Sequence, residues 1–313
     1  MKVAAPGKLM LTGAYAVLEG APAIVLAVDR FVIADTARAP NVPVRPEVDA
    51  VARRLEATAP HIDTRALEHD GQKLGLGSSA AAAVAAAAAI LASRGIDLDA
   101  EGIARAQHIA LEAHAQVQPR GSGADVVACA MGGVVEVTRR EGTVTATPTR
   151  LPAEATIRAF ACGRPTRTSD VLDRLDERRQ RAATQRALAT LTEAANIGAL
   201  ACRANDVRAL LGACARHVEG LRALGDSLGL ALVPPELTHA RTSLALYPEN
   251  YAPDDVVLLP SGAGGGDVVL WVGVRAPTDQ ETRAFRDAGF LALELSISLR
   301  GVHKLDAAPS TRK

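Results

Sequence analysis

Small hydroxyl residues follow a pair of glycines in the segment Gly75-Leu76-Gly77-Ser78-Ser79-Ala80, at the start of an alanine-rich run. Glycines let the backbone approach a ligand closely, and free N–H groups at a helix N-terminus carry positive partial charge. The serines add hydroxyls that can donate to a phosphate or ligate magnesium. The segment therefore indicates an anion site; the simpler alternative is a serine N-cap on a buried helix.

Two common nucleotide motifs fit this segment poorly. It matches G-x-G-x-x-G/A, and Asp97 or Asp99 lies about 20 residues further on, where a ribose-binding acid would be. However, that acid follows a helix end rather than a second strand, and the segment is not in a first βα turn. A Walker loop needs Gly-Lys-Ser/Thr, which neither 75–79 nor 262–266 contains.

Two further loops and one lysine carry groups suited to chemistry on an anion. Gly121-Ser122-Gly123-Ala124-Asp125 places a carboxylate at the start of an apolar helix, as a general base, a charge-positioning group or a simple cap. The segment 260–267 is longer than a tight hairpin needs, which favours a ligand nearby. Pro6-Gly7-Lys8 predicts a lysine just beyond a rigid turn.

Composition limits the classes of protein to consider. With 313 residues and 48% hydrophobic content, we expect about two domains. The 35 basic and 35 acidic residues cancel, and aromatics are only 3%, which disfavours nucleic acid and membrane partners. The cysteines have no paired spacing and Pro6-Gly7-Lys8 interrupts any leader peptide, so we expect free thiols and a cytoplasmic location.

These loops must be held by regular elements, and periodicity predicts them along the chain. The first half is predicted to contain strands at 2–5 and 8–12 around the Pro-Gly turn, a strand at 22–36, a helix at 45–58, a strand at 62–69, a helix at 78–93 and a helix capped by Asp99 through Val117. A short helix and a strand follow the second loop.

The second half has a different pattern of predicted elements. A strand near "TIRAFAC" precedes an almost continuous helical pattern at 169–229, with breaks predicted near Asn205 and Gly225. Two strands joined by the third glycine loop, a capped helix from Thr278 to Ala288 and a last strand "FLALELSISL" complete the order. This order indicates a split βαβ unit.

The motifs taken together resemble the GHMP kinase superfamily. The resemblance rests on "APGKLMLTGAYAVLEG", "KLGLGSSAAAAV", "RGSGADVVACAMGGVV" and "LPSGAGGGDVVL", in that order, and it is greatest to the phosphomevalonate kinase branch. It implies an α+β, two-domain GHMP kinase fold: residues 1–150 as a ribosomal-protein-S5-like, ATP-binding domain with a left-handed βαβ crossover, and residues 151–313 as a ferredoxin-like domain.

The resemblance also implies an activity, namely ATP- and Mg²⁺-dependent phosphorylation of 5-phosphomevalonate to 5-diphosphomevalonate in the mevalonate pathway. Alternatives are mevalonate kinase, another GHMP small-molecule kinase, or a non-catalytic sensor of ATP and a metabolite. The expected partner is a small phosphorylated substrate, and the expected state is a monomer or homodimer.

The resemblance also implies roles for individual residues of this sequence, at the positions that match the family's motifs. Lys8 and Asp125 are expected to be catalytic. ATP is expected to contact Lys73, Gly75, Leu76, Gly77, Ser78, Ser79 and Ala80. The acceptor is expected to contact Lys8, Tyr15, Ser122, Gly123, Asp125 and Ala263. Ser79 is the expected magnesium ligand, with Glu112 a second candidate whose simpler interpretation is a solvated helix face.

The basic residues near the loops indicate which kind of acceptor the site could bind. A phosphomonoester has its second pKa near ~6 and is already anionic at neutral pH, so it needs cations more than a base. The candidates to bind two phosphates are Lys8, Lys73, Arg120 and Arg164 or Arg167. Lys73 and Arg120 favour such an acceptor; the alternative for each cation is a solvated surface charge.

Two features complicate the site. The family usually has Gly-Glu-Tyr or Gly-Glu-His in its first motif, whereas this chain has Gly13-Ala14-Tyr15 and so lacks a carboxylate there. His108, Glu112 and His114 lie close together in the sequence, and His108 and Glu112 share one helical face. With no third ligand in register, a structural or surface histidine is expected rather than a metal site.

Overall fold

The computed structural model describes residues 1–162, 168–243 and 255–305. Its helices are α1 (Pro46–Arg54), α2 (Ser78–Ser93), α3 (Ala100–Val117), α4 (Ala124–Met131), α5 (Thr168–Arg178), α6 (Ala182–Ala204), α7 (Val207–Leu228), α8 (Pro235–Ser243) and α9 (Asp279–Asp287). Short 3-10 helices span Ala16–Glu19 and Arg65–Leu67. Over those residues, no helix is both long and apolar enough to span a bilayer.

The strands form two main sheets and a small hairpin. They are β1 (Lys2–Thr12), β2 (Ala23–Asp35), β3 (His61–Asp63), β4 (Glu68–His69), β5 (Gln72–Lys73), β6 (Val134–Arg140), β7 (Thr143–Thr149), β8 (Thr156–Ala161), β9 (Val256–Pro260), β10 (Val268–Gly273), β11 (Leu291–Leu293) and β12 (His303–Lys304). One sheet has the order β12-β1-β2-β6-β7 with β3 beside β2, the second has the order β11-β8-β10-β9, and β4 pairs with β5. The predicted α+β class is confirmed.

The first compact unit comprises Met1–Lys8, Leu26–Gly133 and the described residues from Ser296 onward. Its centre is α2, which is buried on all sides from Ala80 to Ala92 because α1, α3 and α4 pack against it. Alanine suits this position because its small side chain lets neighbouring helices approach closely while helix propensity stays high. The bounds predicted for α2 are confirmed.

Strand β1 runs without interruption through Pro6 and Gly7, so the turn predicted there is wrong. Gly7 belongs in the strand for a packing reason. A Cβ at Gly7 would lie 2.9 Å from the Leu76 carbonyl oxygen and within 3.3 Å of Leu67 and Val28 side-chain atoms. Glycine therefore permits a close approach rather than a reversal.

The second unit comprises Leu9–Val25 and Val134–Leu295. Its four-stranded sheet is antiparallel throughout, and in chain order the strands lie fourth, first, third, second, which is the predicted ferredoxin-like arrangement. The core on this sheet is aromatic: Phe160 and Phe285 stack with centroids 4.2 Å apart, and Trp271 is fully buried beside them. Helix α7 packs on β9 and β10 and pairs with α6.

The two units interleave along the chain. Strand β1 passes from the first unit to the second between Lys8 and Leu9, and the chain returns to the first unit at Ser296. There β12 pairs with β1, with Val3 opposite Lys304. The division at residue 150, which the resemblance implied, stays a prediction.

Several predicted boundaries were wrong for local reasons. The helical pattern does break at Asn205, which adopts a left-handed conformation, but Gly225 lies within α7. A Cβ at Gly225 would lie 2.5 Å from the Leu230 carbonyl oxygen, so this glycine permits close packing of the following turn. The predicted strand 62–69 is interrupted by a 3-10 turn, and the last predicted strand is confined to β11.

Candidate active site

The loop before α2 owes its shape to its glycines. Gly75 and Gly77 have φ values of 71° and 76°, which side chains rarely tolerate. Gly77 is the N-cap, so the alternative of a serine N-cap is wrong and both serines lie in the first helical turn. Ser78 is buried and Ser79 half-buried. The first N–H groups of α2 have no partner within the helix, which leaves them suited to an anion.

Lys8 crosses this loop directly. Its backbone N–H donates to the Leu76 carbonyl oxygen at 2.8 Å. A Cβ at Gly77 would lie 2.7 Å from Cε and 2.8 Å from Cγ of Lys8, so the aliphatic stem occupies the space that a side chain at Gly77 would need. Only 8% of Lys8 is exposed. The loop and the lysine are thus fitted to each other.

The start of α4 brings a carboxylate to Lys8. Gly123 is the N-cap, with φ of 77°, and the Ser122 hydroxyl accepts from the Ala124 N–H at 3.3 Å. Asp125 therefore lies inside the first turn, which excludes the simple N-cap interpretation. Its Oδ2 is 3.2 Å from Lys8 Nζ, and both the lysine and the helix N-terminus stabilise its negative charge.

The buried His114 interacts with the charges of this ion pair and of a buried glutamate, Glu47, which the sequence did not indicate. His114 is at the end of α3; a Cβ at Gly121 would lie 3.8 Å from its Cε1. Burial lowers the pKa of His114, opposed by the charges of Asp125 and Glu47 and reinforced by Lys8. Glu47 is buried and pairs with Arg45, Nε to Oε1, at 2.7 Å. Glu47 belongs to no motif, and His114 was considered only with His108 and Glu112 as a metal candidate.

The second magnesium candidate, Glu112, is engaged in surface ion pairs. Its Oε2 contacts Arg54 Nη2, and His108 Nε2 is 3.3 Å away. Because the His108 side chain is 71% exposed, the predicted surface role of that histidine is confirmed. Across the ranges that the structure describes, no group of three or more His, Cys, Asp and Glu side chains is arranged to hold a metal.

In the second unit, the glycine loop after β9 is anchored to β1. The Ser261 hydroxyl accepts from the Met10 N–H at 3.0 Å and donates to the Met10 carbonyl oxygen at 3.1 Å. The hydroxyl of Tyr15 donates to the Ala263 carbonyl oxygen. Tyr15 is buried, and burial raises the pKa of its hydroxyl. Both predicted acceptor contacts, Tyr15 and Ala263, thus bond to each other.

The remaining predicted residues differ in exposure. Leu76 and Ala80 are buried, whereas Lys73 is exposed in β5 opposite Glu68. Arg120 is also exposed, and Arg164 and Arg167 lie outside the described residues. Of the four cysteines, Cys129, Cys202 and Cys214 are buried, free thiols, as predicted, and Cys162 is half-buried.

Sequence comparisons relate the chain to a domain family and to one protein along nearly its whole length. Residues 48–133 match the family described as GHMP kinases N terminal domain. Over 374 aligned positions the chain is 30% identical to the phosphomevalonate kinase of Streptomyces sp. (strain CL190), with 95% of this chain and 97% of that protein covered.

Comparison with solved structures gives the same fold. A Lin0012 protein from Listeria innocua superposes with a TM-score of 0.78 at 20% identity, covering 97% of this chain and 99% of that one. The Streptococcus pneumoniae phosphomevalonate kinase, solved in complex with phosphomevalonate and AMPPNP, gives 0.74 at 17% identity, covering 95% and 99%. The L. major mevalonate kinase, in complex with R-mevalonate, gives 0.67 at 17%, covering 92% and 90%. These likenesses show the two-domain GHMP kinase fold that the motifs predicted.

Proposed function

Because the chain belongs to the GHMP kinase family, we propose that this kinase transfers the γ-phosphate of ATP to 5-phosphomevalonate, giving 5-diphosphomevalonate. The curated relative, similar along nearly its whole length, is a phosphomevalonate kinase. The observation that carries the proposal is the contact of Lys8 with both Asp125 and the Gly75–Ser79 loop. A cation held between a phosphate loop and a carboxylate suits phosphoryl transfer.

Lys8 neutralises charge on the transferring phosphoryl group. The N–H groups of the first turn of α2 and the Ser78 hydroxyl donate to the ATP phosphates. Lys8 is held from two sides, by the Leu76 carbonyl oxygen through its backbone and by Asp125 through its ammonium group. Its position is therefore fixed before substrates bind, and little reorganisation is needed in the transition state.

Asp125 orients the acceptor and Lys8 more than it removes a proton. A phosphate monoester is mostly ionised at neutral pH, so its oxygen can attack without a strong base. The ion pair with Lys8 holds the Asp125 carboxylate beside the ammonium group, 3.2 Å away. In this proposal Ser122 and Gly123 line the acceptor through a hydroxyl and a backbone with no side chain.

Magnesium fits the oxygen donors at this loop, since Mg²⁺ takes oxygen ligands and is often bound through substrate phosphates with few protein groups. We propose that Ser79, a half-buried hydroxyl in the first turn of α2, would hold it. Bound there, Mg²⁺ would neutralise charge on the phosphates. Glu112 is the weaker candidate because Arg54 and His108 already engage it.

Release of ADP tests the proposal when several acceptors are compared. The wild-type protein with ATP and Mg²⁺ is assayed separately with 5-phosphomevalonate, mevalonate, homoserine and galactose. We expect the highest kcat/KM with 5-phosphomevalonate. A preference for mevalonate would assign the chain to the mevalonate kinases instead. ATP binding without turnover of any acceptor would support a sensor, the alternative that Ala14 raises.

A further inference from the structure

Tyr15 has a strained backbone. Its φ and ψ are 61° and −42°, and the Ala16 N–H donates to the Ala14 carbonyl oxygen at 2.7 Å, which closes a three-residue γ-turn around Tyr15. A γ-turn with positive φ is rare for any residue with a side chain. Such strain persists only where the surroundings hold it, and it concentrates at functional sites.

The turn carries the tyrosine ring to the glycine loop. Tyr15 is only 5% exposed, and its hydroxyl reaches the carbonyl oxygen of Ala263, 248 positions away in the sequence. Gly13 makes the turn possible, since its φ is 94° and a Cβ there would lie 2.5 Å from the Ala23 Cα. The strained conformation therefore has one evident result, the bond from Tyr15 to the loop.

The loop itself needs such support. Gly262, Gly264, Gly265 and Gly266 all have positive φ, and glycine loses more conformational freedom on ordering than any other residue. Hydrogen bonds tie the loop to other segments, among them Ser261 and Gly262 to Met10, Ala263 to Tyr15, and the Gly265 N–H to the Leu232 carbonyl oxygen at 2.8 Å. The Tyr15 bond lies at the middle of these.

We propose that Tyr15 is a positioning residue that, together with Ser261, fixes the loop 261–265 in one conformation before the acceptor binds. The hydroxyl of Tyr15 is used on the loop rather than on the substrate. That the ordered loop receives a phosphorylated acceptor rests on the proposed function. Ordering the loop in advance lowers the entropic cost of binding. Loss of the Tyr15 bond should therefore weaken the affinity for the acceptor.

The test compares Tyr15→Phe and Ser261→Ala with the wild-type full-length protein. Thr184→Val is the matched control, because it removes another buried hydroxyl of the same unit, bonded to Ser227 at 3.2 Å. Hydrogen exchange of the amides at 262–266 is followed without substrate. Loss of one buried hydrogen bond to the loop should speed this exchange roughly 3- to 10-fold in Tyr15→Phe and Ser261→Ala. We expect Thr184→Val, whose lost bond does not involve the loop, to exchange at the wild-type rate.

Steady-state kinetics provides the second readout. We expect the KM for 5-phosphomevalonate to rise in Tyr15→Phe by a factor similar to the gain in exchange, with kcat little changed. Unchanged exchange at 262–266 in both variants would overturn the proposal, as would faster exchange spread evenly over the whole unit. If the wild-type protein does not turn over 5-phosphomevalonate, the proposed function fails while the exchange data still decide the role of Tyr15.

Discussion

Lys8 and Gly77 depend on each other more closely than their separate motifs suggest. The lysine stem lies where a side chain at Gly77 would be, and the ammonium group contacts Asp125. Sequence reasoning named all three residues, because each lies in a segment with recognisable chemistry. It could not foresee that the buried His114 interacts with Lys8, Asp125 and Glu47, because these residues lie in segments that are distant in the sequence.

Replacing Lys8 tests the centre of the site. Lys8→Met keeps the stem that packs on Gly77 but removes the charge. We expect kcat to fall about 10²-fold or more, as loss of one preorganised transition-state contact commonly does. Lys304→Met is the control, because Lys304 pairs with the exposed Asp97 at 2.8 Å. An active Lys8→Met enzyme, measured by ADP release, would contradict the assigned role.

Replacing Asp125 separates two kinds of acceptor. Asp125→Asn keeps the shape but removes the charge that pairs with Lys8. If the acceptor is a phosphomonoester, kcat should fall by only about 10-fold to 10²-fold, less than the 10²-fold to 10⁴-fold typical of a lost general base. A loss of more than about 10²-fold on 5-phosphomevalonate would mean that Asp125 removes a proton. Unchanged folding, checked by thermal unfolding, is the control.

Helix α2 illustrates how one element positions the site. Its alanines are buried on every side, so the helix has no polar face to define its orientation and depends on close packing instead. The start of the helix, Ser78, was predicted correctly because glycines and serines precede a uniform run. The close contacts of α1, α3 and α4 with α2 could not be read from a sequence with so little amphipathic pattern.

Enlarging one alanine of α2 should disturb this packing. Ala86→Leu adds three carbons at a site with no exposed surface, and we expect the free energy of unfolding to fall by about 1–3 kcal/mol. Ala104→Leu, on the exposed face of α3, should change it by about 0.5 kcal/mol or less. Urea titration of both variants checks this; equal stabilities would show that α2 tolerates larger side chains.

Helix α7 contains a buried histidine that makes stability depend on pH. Burial lowers the pKa of His217 to about 4, and its Nδ1 has no hydrogen-bond partner among the described residues. The unfolded chain, with an ordinary histidine pKa near 6.5, binds the proton more readily, so stability declines as pH falls from about 6.5 towards 4. The full contribution is about 3 kcal/mol.

Removing this histidine should flatten that part of the profile. We expect His217→Leu to lose less stability than wild type between pH 7 and pH 5 in urea titrations. His69→Gln is the control, since the His69 side chain is 55% exposed and should leave the slope unchanged. A wild-type slope in His217→Leu would show that other groups cause the acid sensitivity.

At the scale of the whole chain, local patterns predicted the order of elements but not their long-range partners. The capped helix α9 was foreseen because Thr278 and Glu281 form a capping box within one turn. The pairing of Val3 with Lys304 and the bond from Tyr15 to Ala263 join segments more than 200 residues apart, and no local pattern encodes them.

The identity of the product tests the central claim most directly. Wild-type protein is incubated with ATP, Mg²⁺ and 5-phosphomevalonate, and the product is followed by ³¹P NMR and mass spectrometry. The account predicts two mutually coupled phosphorus resonances from a diphosphate ester, one phosphate heavier than the acceptor, with one ADP formed for each product. An unchanged 5-phosphomevalonate signal, together with a new phosphate monoester when mevalonate replaces it, would contradict the account.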